Sequence, residues 1–234
     1  MEFPLVHVVI SHYNECIDWC FDIPFDYTIV SKGISNLLGH KNVVKMPKNK
    51  GFEATSYLQY IIDNYDSLPE IVCFFQAEKT SWHGGDLIDI LNRFKWNILK
   101  DYQFVNVNKR DKYFRSWILE EPNPHAHGIY KRKIVHRQEI WKTLFNDLGP
   151  PPPEEEWWCY GCAQFVVSRK GILKNSKRFY ENIFEYLQHD TFNGKGMAWG
   201  NKYIAIILEH MWFRMFGPNI AIETKLKEED FLEF

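Results

Sequence analysis

No apolar run in this chain approaches the roughly 20 residues that a helix needs to cross a bilayer, which predicts a protein without a membrane span. Surplus charge is missing too. A formal net charge of -2 supplies none of the concentrated positive surface that phosphate backbones demand, which argues against a nucleic-acid partner. Cysteine is sparse, and five residues cannot all pair within one chain. The opening MEFPLVHVVISHY has no basic segment and passes straight into a strand pattern. Taken with the cysteines, that start predicts a reduced, cytoplasmic protein whose thiols are ordinary buried side chains.

What the chain does have is 234 residues, 45% of them hydrophobic and 17% aromatic. That is enough for one sizeable core, so a single domain over 1–234 is the expectation. The stretch Asn49 to His83 organises the rest. After the turn Asn49-Lys50-Gly51, apolar residues recur at Tyr57, Leu58, Ile61, Ile62 and Tyr65, one face of a helix. Pro69 closes a loop, and Ile71 to Phe75 is a continuous apolar run of the kind covered on both faces of a sheet. Val6–Ile10, Asp26–Val30 and Val43–Met46 read as three further strands. Strands and helices alternating at this pace argue for parallel βαβ units.

Farther on, Asp86–Trp96 reads as a helix, Asp101–Gly128 has no placeable elements, and Ile134–Leu148 reads as helical. Gly149 to Glu156, with four consecutive prolines, must be a loop. Ala163–Ser168 reads as a strand, Arg169–Leu187 as mostly helix, and Lys202–Phe216 as one apolar helix stopped by Gly217-Pro218. The closing segment EEDFLEF docks either on the body or on a partner.

Chemistry is expected where the strands end, because open α/β sheets hold ligands outside their carboxyl ends. Tyr13, Asn14 and Glu15 follow the first strand. They can stack on a base and bind a ribose, or simply cap the next element. Asn49 and Gly51 offer backbone N–H groups to a phosphate beside a helix start, and Glu53 suits the dipole of that helix. Gln76-Ala77-Glu78 stands where a metal-binding carboxylate pair would be. Glu78 could give Mn²⁺ or Mg²⁺ one oxygen, but one carboxylate and one amide make a poor site, so metal dependence stays open. His125 and His127 lack a third ligand of evident spacing, and Cys159 to Cys162 lacks a partner of matching spacing, so neither reads as zinc. Glu209 lies in an otherwise apolar stretch, either on an exposed stripe with Arg214 or as a general base.

These motifs occur in an order that resembles a domain-of-unknown-function family, DUF3431. The resemblance rests on VVISHYNECIDWC, the Asn49–His83 stretch, CAQFVVSRKGILKNSKRFYENIFEYL and LEHMWFRMFG. That family in turn looks like glycosyltransferases of the GT-A architecture. The resemblance implies a Rossmann-like, three-layer α/β/α sandwich with a mostly parallel central sheet. It implies a nucleotide-diphosphate sugar as donor, and a glycan or small hydroxyl compound as acceptor. Tyr13, Asn14, Glu15 and Lys32 would then lie at the base and ribose, Asn49 and Gly51 beside the sugar nucleotide, and Gln76 and Glu78 near the diphosphate. The segment ending in Glu209-x-x-Trp212 is similar to a metal-independent branch of N-acetylglucosaminyltransferases, which makes Glu209 the expected base. Arg214, Lys225 or Lys227 would neutralise the leaving diphosphate, and Trp82, His83, Trp157 and Trp158 would shape the pocket. Two other readings stay open: a non-catalytic carbohydrate- or nucleotide-binding module, and a hydrolase using Glu78 and Glu209 as a carboxylate pair.

Overall fold

The computed structural model describes residues 4–34, 37–81, 84–108, 114–116, 141–151, 158–160, 163–189, 191–192, 195–196, 205, 208–209, 211–217 and 228–233. Their frame is a six-stranded mixed sheet. Its strands are β1 (Val6–His12), β2 (Asp26–Ser31), β3 (Val43–Lys45), β4 (Ile71–Gln76), β5 (Phe104–Asn106) and β6 (Phe165–Ser168), in the spatial order β3-β2-β1-β4-β6-β5. β1 runs parallel to β2 and β4, and β2 parallel to β3. β6 runs the opposite way, antiparallel to both β4 and β5.

Alternation along these strands divides the core in two, as a period of two requires. Val9, Val30, Val72, Phe74, Phe104, Phe165 and Val167 face one cluster. It is covered by α1 (Phe52–Asn64), α4 (Lys177–Gln188) and α5 (Trp212–Phe216). Val8, Ile10, Ile29, Cys73, Phe75, Val105 and Val166 face the other, covered by Trp19, α2 (Leu87–Arg93) and the end of the chain. Both faces are buried, which is why β4 reads as an unbroken apolar run from Ile71 to Phe75.

Several boundaries move for physical reasons. β1 continues two residues beyond the apolar run, because Ser11 pairs with Val30 and Gln76, and His12 with Ser31. The helical run after β6 breaks into α3 (Arg169–Ile172) and α4, where Ser176 caps Phe179 N–H at 3.2 Å. The expected helix at Asp86–Trp96 shortens to α2 with Asp86 as its cap, and a 3-10 turn, Trp96–Lys100, follows. Of the long helix expected over Lys202–Phe216, α5 is a separate piece preceded by a turn at Met211. The open question about the tail is answered. Phe231 and Leu232 are buried on α6 (Glu228–Phe231) and just beyond it, Leu232 bridges Phe94, and Lys95 N–H donates to the Phe231 carbonyl. The tail therefore docks on the body. None of the helices among the described residues is long and apolar enough to cross a membrane.

Candidate functional site

The sheet order reverses at β1. The chain steps outward to β2 and β3 on one side, and β4 lies on the other. Such a switch point leaves a crevice outside the carboxyl ends of β1 and β4. The segments arriving there are Tyr13–Glu15 after β1, Lys32-Gly33 after β2, the start of α1, and Gln76 at the end of β4. A hydrogen bond of 2.9 Å from Ser11 Oγ to Ser56 Oγ pins α1 over β1.

The loop after β1 is largely held by its own polar groups. The Glu15 carboxylate accepts from the N–H of Tyr13 at 2.7 Å and of Asn14 at 3.1 Å, and Asn14 Oδ1 accepts from Ile34 N–H at 3.3 Å. Glu15 thus does the bracing work of a cap, Asn14 ties the loop to the one after β2, and Tyr13 stays 45% exposed at the rim. His12 is buried below, with Nδ1 2.9 Å from Ser31 Oγ and Nε2 3.2 Å from the Glu15 carbonyl. Burial pulls its pKa down, against the hydrogen bond and charge of Glu15, while Lys45 and His40 add to the lowering.

This loop locks onto the one after β2. Lys32 N–H donates to the His12 carbonyl at 2.9 Å, and a Cβ at Gly33 would sit 1.2 Å from the Tyr13 carbonyl oxygen. Gly33→Ala is therefore expected to cost at least the ~1–3 kcal/mol of an overpacked site, and to push Tyr13 and Asn14 outward. Urea melts and the Tyr13 ring resonances before and after substitution check this. Wild-type stability with unmoved resonances would mean that the two loops do not touch.

The start of α1 is tightly wound. Gly51 has φ 67°, and a Cβ there would meet Thr55 Cγ2 at 2.6 Å and Leu187 at 3.2 Å. Phe52 follows with φ 46°, a left-handed conformation that costs an ordinary residue about 1–2 kcal/mol. Strain of this kind collects at ligand sites. Asn49 lies just before, exposed. Thr55 Oγ1 donates to the Lys50 carbonyl at 2.6 Å, and the Lys32 ammonium donates to the Phe52 carbonyl and to Thr55 Oγ1. Lys32 as a whole is half-buried, but its ammonium is enclosed by these partners. Burial brings its pKa down to about 8, with Glu53 and Glu15 acting in the opposite direction.

Glu53 is the residue that composition and spacing undervalue. It is only 9% exposed, and its Oε1 has no hydrogen-bond partner among the described residues. Burial raises its pKa, opposed by its own backbone N–H, the Lys32 charge and a hydrogen bond from Gln76. The signal was the helical stripe itself. Counting four back from Tyr57 and eight back from Ile61, both fully buried, lands on Glu53 and sets it on the buried face. Tyr57 donates to the Ala163 carbonyl at 2.8 Å. Its phenol is held well above the ordinary range, first by burial and then by the charges of Glu53 and Glu209. Glu209, half-buried, thus lies within electrostatic reach of the same tyrosine. Arg214 is half-buried on α5.

The structure therefore gathers Lys32, Gly51, Gln76 and Glu53 at one crevice, rims it with Tyr13, Asn14 and Glu15, and brings Glu209 toward Tyr57. Glu78 lies two residues beyond β4, exposed and without an ion pair among the described residues. No cluster of three or more His, Cys, Asp or Glu side chains suited to a metal occurs among the described residues. Trp82, His83, His125, His127, Trp157, Cys162, Lys225 and Lys227, and the side chain of Trp158, lie outside the described residues. Two open depressions, one lined by Glu70, Arg169, Lys170 and Lys174 and one by Leu5, Ile23 and Phe25, lie at the amino ends of β4 and β1, opposite the crevice.

A family model described as a protein of unknown function, DUF3431, matches residues 8–228. No curated protein and no solved structure matches the chain.

Proposed function

The chain belongs to the DUF3431 family, whose function is unknown, and we propose that it is a glycosyltransferase of the GT-A type, moving a sugar from a nucleotide-diphosphate donor to an acceptor hydroxyl with inversion. The observation that carries this reading is the polar group sunk into the switch-point crevice: Glu53 of α1, Lys32 just after β2, and Gln76 at the end of β4. Charges are costly to bury, and titratable groups perturbed by burial in a cleft are the candidates for a functional site.

In this mechanism the base and ribose occupy the rim at Tyr13, Asn14 and Glu15, and the diphosphate lies near Lys32 and the α1 turn at Asn49–Gly51. Glu209 takes the proton of the acceptor hydroxyl as its oxygen attacks the anomeric carbon. The carbon–oxygen bond to the diphosphate breaks, and the electron pair leaves with the phosphate. Lys32 and Arg214 stabilise that developing charge, the role electrostatic preorganisation plays in displacement chemistry. Were Mn²⁺ or Mg²⁺ to take part, Glu78 would give it one oxygen, and the ion would supply positive charge for the diphosphate. One observation favours a non-catalytic binding module instead: Gln76 engages Glu53 where a second metal-binding carboxylate would be needed.

A thermal-shift panel of UDP, GDP, CMP and their sugars, with and without Mn²⁺, tests the reading. One nucleotide is expected to raise the melting temperature, by about 2.7 kcal/mol of added stability at 100 times its Kd. Its affinity should fall as pH rises through about 8, because Lys32 then loses the proton that attracts the diphosphate. Mn²⁺ dependence would assign Glu78 its role. No shift with any nucleotide, alongside binding of free glycans, would replace the transferase by a binding module or hydrolase.

A further inference from the structure

We infer that Glu53 reads hydroxyl groups of the ligand, its unpartnered carboxylate oxygen accepting the protons of a vicinal diol such as that of a ribose or a hexose. The inference rests on the nucleotide-sugar reading of the same crevice. An ionised carboxylate only accepts hydrogen bonds, and has room for about four. Glu53 is nevertheless buried, with Oε1 lacking a donor among the described residues. Complementing the dipole of α1 does not explain this, since an exposed carboxylate in the first turn does that equally well. Nor do its neighbours supply the missing donor. Tyr57 gives its hydroxyl proton to the Ala163 carbonyl, and Lys32 donates to the Phe52 carbonyl and Thr55.

The position of this oxygen narrows the ligand chemistry. Gln76 at the end of β4 and Lys32 at the end of β2 both act on the Glu53 carboxylate, and Ser11–Ser56 fixes its helix to β1. Glu53 therefore belongs to the strand ends that form the crevice. A phosphate is the wrong partner for a carboxylate, so the anionic part of a nucleotide sugar falls to Lys32. The part rich in neutral donors falls to Glu53. Ribose and hexose share that chemistry, and only binding of matched probes separates them.

The experiment compares wild type with Glu53→Gln. The probes are UDP and GDP, their 2′-deoxy counterparts, UDP- and GDP-hexoses, and free hexoses, measured by calorimetry. E53Q should weaken the productive probe about 10- to 100-fold, the size of a lost hydrogen bond to a charged group. A loss for the ribonucleotide but not its 2′-deoxy form assigns the ribose. A loss confined to the advantage of the nucleotide hexose over the plain nucleotide assigns the sugar. An equal loss for every probe, or none, overturns the inference. A wild type that binds free hexose but no nucleotide, with that binding lost in E53Q, overturns the nucleotide-sugar reading and keeps the inference. Binding of neither overturns both. Without ligand, E53Q should melt no lower than wild type; a clear fall would make Glu53 a structural partner of Lys32 and overturn the inference by itself.

Discussion

Replacing Trp212 with alanine is expected to lower the unfolding free energy by about 3–5 kcal/mol, the largest stability effect anticipated for a single side chain here. Trp212 is 1% exposed at the start of α5. Its ring lies 5.5 Å from Phe165 of β6, 6.0 Å from Tyr57 of α1 and 5.9 Å from Phe216, which it parallels within 1°. Truncation would remove the piece that joins sheet, α1 and α5, and rings held from three elements cannot all collapse into the space. Trp212→Phe separates packing from hydrogen bonding. The indole Nε1 has no partner among the described residues, so losing that N–H relieves a buried unsatisfied donor. The phenylalanine variant should cost less than about 1.5 kcal/mol. Urea unfolding at unchanged slope reads both values. An alanine variant within 1 kcal/mol of wild type would mean that this aromatic layer is loosely packed.

The parts of the fold legible in the sequence are those in which burial is complete and periodic. β4 is apolar on both faces, β1 and β2 each carry a short β-branched run, and α1 shows its stripe from Tyr57 to Tyr65. β5 was hidden, because Phe104-Val105-Asn106 is three residues long, too short for a period to register. The reversal of β6 was equally invisible, since alternation is the same whichever way a strand runs. Apolar content also misled at Lys202–Phe216, where a continuous greasy run reads as one helix and the turn at Met211 carries no Gly or Pro.

The site was legible by element and illegible by contact. The α/β pattern directs attention to the strand ends, and Lys32 after β2 and Gln76 at the end of β4 both act on Glu53 there. Glu53 looked like a helix-dipole residue, because the groups that give it another meaning come from β2 and β4, 21 positions before it and 23 after it in the chain. Only the sheet order brings them together. Asn14 and Glu15 show the reverse case: their side chains satisfy nearby backbone N–H groups, a local role that spacing alone could not separate from ligand binding.

Glu209→Gln is the prediction on which the chemistry turns. The amide keeps the shape of the side chain but cannot take a proton, so kcat should fall by about 10²–10⁴-fold, the usual contribution of a general base. KM for the donor should stay near its wild-type value, since the loss belongs to the transition state alone. Glu209 lies three residues before Trp212, so a fall in kcat could also come from a disturbed aromatic layer. Two controls divide these causes. E209Q should melt within a degree or two of wild type, and Glu209→Ala should recover activity with added formate, which replaces a missing base but not missing packing. Glu78→Gln supplies the opposite control. Glu78 is exposed two residues beyond β4, and in a metal-independent transferase its loss leaves kcat nearly unchanged. If E78Q and E209Q were equally crippled with activity independent of Mn²⁺ and Mg²⁺, the two carboxylates would be acting as a pair, as in glycoside hydrolysis across a gap of about 5–10 Å, and the acceptor would be water. Near-normal transfer by E209Q would remove Glu209 as the base and leave Glu53 as the carboxylate of the crevice to be tested in its place.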